Sequence, residues 1–77
     1  MSSPSTKDNL DLAEHARDLA DRAPAGSLEK AAAGSVAVTC ATTRDVEQAR
    51  TVLGGVVPAD VRQAAIALLE RLAADQA

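Results

Sequence analysis

With 77 residues the chain has room for one domain at most, and a chain this short buries a smaller share of its surface than a larger one would. It contains no Phe, Trp or Tyr, a single Cys and a net charge of −3. That excludes an aromatic core, an internal disulfide and a broad basic surface for nucleic-acid phosphates. The charge is evenly mixed: net −2 over residues 1–26, zero over 27–55 and −1 over 56–77.

Residues 1–5 are Ser- and Pro-rich and read as a loose N-terminal tail, with a single small helical domain over 6–77. Ser5 can cap a first helix, and Asp8 three residues later meets its free N–H groups and positive end. The helix is predicted over about Thr6 to Arg22. Leu12, Ala13, Ala16, Leu19, Ala20 and Ala23 form its apolar stripe. Asp8, Asp11, His15, Asp18 and Arg22 form the opposite face, and Pro24 with Gly26 punctuates the chain.

Ser27 can cap a short helix from Leu28 to about Ala33, with Gly34 as a stop. Residues 35–41 then allow two readings. Val36, Val38 and Cys40 alternate with Ala37, Thr39 and Ala41, and alternation with β-branching suggests a strand. Alternatively, the helix continues through Gly34 to about Cys40. Thr42, with Asp45 three residues on, is a cap pattern for a helix over about 43–53, ended by Gly54-Gly55. Pro58 suits the first turn of a final helix, where its missing N–H costs nothing. That helix is predicted to run to about Ala74.

The final helix is the most apolar. Val61, Ala64, Ala65, Leu68 and Leu72 make one stripe, and Ile66, Leu69 and Ala73 a second beside it. Together they span roughly 200° of the helix surface, about twice what a surface helix needs. Such a helix is either central to its own fold or packed on a second chain. The expected architecture is therefore mainly all-α: a small bundle of three to four helices, with one short strand at 35–41 pairing across a dimer as the alternative.

The composition bears on class and location. Alanine occupies 18 positions and favours helix because it has no side-chain rotamers to lose. The same bias fits a high-GC bacterial coding sequence. No run approaches the roughly 18–20 apolar residues of a membrane span, and Met1 to Asp8 shows no apolar signal region. A cytoplasmic location is expected, and a lone thiol is compatible with it. The core rests on eight Leu, seven Val and one Ile. Small scaffolds with thin cores are commonly supported by disulfides, metals or association, and the first two are not visible here. A homodimer or an obligate complex follows as the expectation.

Few residues carry chemistry. His15 lies between Asp11 and Asp18 on the first helix, within reach of both, yet that face offers no nucleophile; an exposed histidine in a solvated stripe is the expected reading. Cys40 has no charged neighbour to lower its pKa, so a buried, inert thiol is expected. One Cys, one His and scattered Asp make no zinc-site spacing, and neither GxGxxG nor GxxxxGK[ST] occurs. No catalytic group, cofactor or metal is expected.

Two binding functions fit these residues. The first is a non-enzymatic protein-binding module, a small regulator or adaptor whose partner meets Val61, Ala65, Ile66, Leu68, Leu69 and Leu72 on the final helix. The second is a dimeric DNA-binding repressor or antitoxin of ribbon-helix-helix-like order, which needs the strand at 35–41. Its outward side, Ala37, Thr39 and Ala41, is poor chemistry for reading base edges, and the acidic balance also opposes it.

Overall fold

The computed structural model describes residues 4–76, and the side chains of residues 9–74. Four helices follow one another: α1 (Pro4–Arg22), α2 (Leu28–Thr42), α3 (Val46–Leu53) and α4 (Ala59–Gln76). No strand occurs among the described residues. The radius of gyration is 11.6 Å, close to the roughly 11.5 Å of a compact chain of this length.

α1 starts earlier than expected. Pro4 and Ser5 are already helical, so Ser5 lies inside the helix and not at its cap. The rest of the expected loose tail, residues 1–3, lies outside the described residues, as do the side chains of Ser5 and Asp8. Proline is tolerated in a first turn because its absent N–H would have no partner there. The predicted stripe is the buried one: Leu12, Ala13 and Ala16 are in the core and Leu19 packs against it. The helix closes at Ala23, whose N–H bonds to the Leu19 carbonyl at 3.0 Å. Gly26 then takes φ +80°, a conformation glycine adopts without steric cost.

Ser27 caps α2 as its position suggests: its Oγ accepts the Lys30 N–H at 3.1 Å. The helix does not stop at Gly34. It runs on to Thr42, so residues 35–41 are helix and not strand. The buried residues give the reason. Ala32, Ala33, Val36, Thr39 and Cys40 point inward, at the spacing of one helix face. A strand would have put Val36, Val38 and Cys40 on one side, but Val38 is 68% exposed while Val36 and Cys40 are at 0%. A lone strand would also leave a row of backbone groups unpaired. The hydroxyls of Ser35 and Thr42 in α2, and of Thr43 just past its end, donate to the carbonyls of Ala31, Val38 and Thr39 at 2.7 to 3.0 Å, so each finds its partner on the preceding turn.

The cap of α3 sits three residues later than predicted. Asp45, not Thr42, accepts the Gln48 N–H at 2.8 Å, and Gln48 Oε1 accepts the Arg44 N–H at 2.8 Å. Thr42 is still inside α2. Gly54 and Gly55 end α3 as expected, their N–H groups returning to Arg50 and Val52 at 3.0 Å. Pro58 stands just before α4, and its carbonyl accepts the Arg62 N–H at 3.1 Å.

The core joins all four helices through Leu12, Val36, Cys40, Leu53, Leu69 and Leu72, with Ala13, Ala16, Ala32, Ala49 and Ala65 between them. α2 is the hub: it packs most extensively on α1, then on α4 and α3. Five small alanines share this core with the larger side chains, so a few leucines suffice to fill it.

Candidate partner-binding surfaces

The six residues expected to meet a partner on α4 are divided by the fold. Ala65 and Leu69 are at 0% exposure and Leu72 at 2%. They form the core with α2 and the other helices, so no partner can reach them while the protein is folded. Val61, Ile66 and Leu68 are half-buried, and the last two pack on the core. Much of the wide arc of α4 is thus covered by the chain itself. Leu68 also lines an open groove, a volume of about 420 Å³ shared with Leu19, Leu28 and Ala64.

A larger groove, about 680 Å³, lies between α1 and α2. Leu10 and Val38 stand along it at 51% and 68% exposure. Ala13, Gly34, Ala37 and Ala41 supply small surfaces between them, and Glu14, Arg17, Asp21 and Lys30 supply charge. Lys30 also bridges the two helices, its Nζ donating to the Ala20 carbonyl at 2.8 Å. Sequence reasoning missed this surface, although a signal was present. Leu10 and Val38 are large aliphatics that stand off the stripes of their helices, and a residue off the buried stripe faces solvent.

A second feature also escaped the sequence reading. Asn9 is 1% exposed, and its Nδ2 donates to the Thr43 carbonyl at 3.1 Å and to Thr43 Oγ1 at 3.0 Å. Thr43 Oγ1 gives its own proton to the Thr39 carbonyl at 2.7 Å, so it can only accept from Asn9. This fixes the amide orientation and clamps α1 to the end of α2.

The chemically reactive candidates stand apart. His15 is exposed, and Asp18 beside it pairs with Arg22 at 3.2 Å. Cys40 is fully buried, and burial pushes its thiol pKa up, away from the thiolate that reacts. Among the described residues no three His, Cys, Asp or Glu side chains are grouped to hold a metal ion. None of the described helices is long and apolar enough to cross a membrane. With 35–41 helical, the strand that gave the ribbon-helix-helix order is absent. Compared with protein-family models, curated proteins and solved structures, the chain matches none.

Proposed function

We propose that this chain is a non-enzymatic protein-binding module, a small regulator or adaptor, and that it binds through the α1–α2 groove. The observation that carries the reading is the placement of Leu10 and Val38. Single exposed aliphatics are ordinary on any protein surface. Two of them along one groove, separated by Ala and Gly and bordered by charge, fit the way an amphipathic helix is received. The exposed His15 and the enclosed Cys40 support the non-enzymatic half, because acid–base or nucleophilic catalysis needs cooperating groups within hydrogen-bond reach. The expected partner face thereby moves from α4 to the opposite side of α2.

The test is photo-cross-linking in cells with a benzophenone-bearing residue at position 38, and at position 47 on α3 as a control. Both positions are exposed. Protein adducts at 38 and not at 47 are expected. Equal yields at both positions, or none at either, would sink the reading.

A further inference from the structure

We propose that the α1–α2 groove receives one amphipathic helix of a different protein, about three turns long, with a base–acid–base flank against α1 and an apolar flank against α2. The inference rests on the binding reading above and names the partner's chemistry.

The form of the partner follows from how the groove is built. An extended peptide docks by adding to a sheet edge, and no strand occurs among the described residues. A polyproline segment docks on aromatic side chains, and the chain has none. A helix needs only a groove for its apolar face. The α1 wall runs from Leu10 to Asp21, about 16 Å at the rise of a helix, or three turns.

The two walls differ in chemistry, and the difference sets how the helix is turned. Glu14, Arg17 and Asp21 stand exposed along the α1 wall. Arg17 is one turn from each carboxylate, at spacings that permit pairing. The ion pairs among the described residues are nevertheless Arg22–Asp18 and Arg50–Glu70. The acid–base–acid row is therefore open to an incoming chain. A phosphorylated or acidic segment would meet two carboxylates for one guanidinium. A helix with bases at i and i+7 and an acid between them meets all three with opposite charge. No two Lys or Arg of this chain are seven apart. The nearest approach, His15, Asp18 and Arg22, has its acid already paired with Arg22 at 3.2 Å. A second copy thus lacks the matching flank.

The α2 wall carries no charge from Gly34 to Thr42. Beyond it, the Lys30 ammonium is held by the Ala20 carbonyl at 2.8 Å. Val38 is exposed, and one turn before it a Cβ at Gly34 would meet nothing within 4 Å. Residues four apart share a helix face, so a large aliphatic side chain of the partner fits over Gly34 and against Val38.

Two fluorescein-labelled, side-chain-bridged helical peptides of about twelve residues, titrated with the full chain, test this by fluorescence anisotropy. Both carry the same leucine stripe. One has Lys, Glu and Lys on the flank, the other Glu, Lys and Glu. The first is expected to bind about tenfold tighter, because three rim contacts turn from repulsion to attraction. The variant Glu14→Arg, Arg17→Glu, Asp21→Arg should reverse that preference. Gly34→Leu should weaken the first peptide by about tenfold by filling its place, with the helical circular dichroism kept. Binding by neither peptide, equal binding by both, or a preference that the triple variant leaves unreversed overturns the inference. A chain that dimerises in sedimentation equilibrium and cross-links to itself through position 38 also overturns it, since a second copy is then the occupant. If the peptides fail while position 38 cross-links another protein in cells, the helix falls and the binding reading stands. If both fail, both fall.

Discussion

α4 and α2 carry similar apolar text and meet opposite fates. α4 has the broader apolar arc, yet its central residues Ala65, Leu69 and Leu72 are enclosed by the helices around it. α2 reads ambiguously, yet it is the hub of the fold, and its outer side still presents Val38 to solvent. A wide apolar arc reports how many neighbours a helix has. An isolated aliphatic off the arc reports a surface. The candidate interface lies with the second kind of residue.

The sharpest way to break this contrast is Leu69→Ala against Val38→Ala. The first should lower stability by about 2–5 kcal/mol, through lost burial and the cavity left behind. The second should stay within about 0.5 kcal/mol. Urea denaturation at a concentration where the chain is monomeric measures both, and comparable losses would mean that Val38 belongs to the core.

Asn9→Ala tests the clamp between α1 and the end of α2. It leaves the Thr43 carbonyl without its side-chain donor, and a loss of about 1–3 kcal/mol is expected. Asp45→Ala should cost about 1 kcal/mol as a lost helix cap. Thr42→Ala should cost less, since Thr42 is exposed near the end of α2 and bonds only backward to Val38 and Thr39. The reverse order would place the α2–α3 boundary where the sequence pattern first suggests it. The smallest effect carries the opposite sign. A Cβ at Gly34 meets nothing within 4 Å, so Gly34→Ala should stabilise the monomer by about 0.5–1 kcal/mol through helix propensity and a less flexible unfolded chain. Hydrogen exchange along α2 would localise the gain.

The sequence by itself determined the helical class, the stripe of α1, the Ser27 cap, the double-glycine stop and the exposure of His15. These depend on contacts within a few residues, where spacing and side-chain chemistry settle the outcome. Only the tertiary structure decided the rest. Residues 35–41 have local preferences that serve a strand or a helix; burying Val36 and Cys40 while leaving Val38 outside selects the helix, because the space between α1, α3 and α4 admits one face of it. Which member of the Thr42 and Asp45 pair caps α3 followed from where α2 ended. The division of the α4 arc into core and half-buried edge depended on neighbours distant in sequence. The Asn9 clamp likewise joins residues that only the packing of α1 on α2 brings together, and the same packing puts Leu10 and Val38 along one groove.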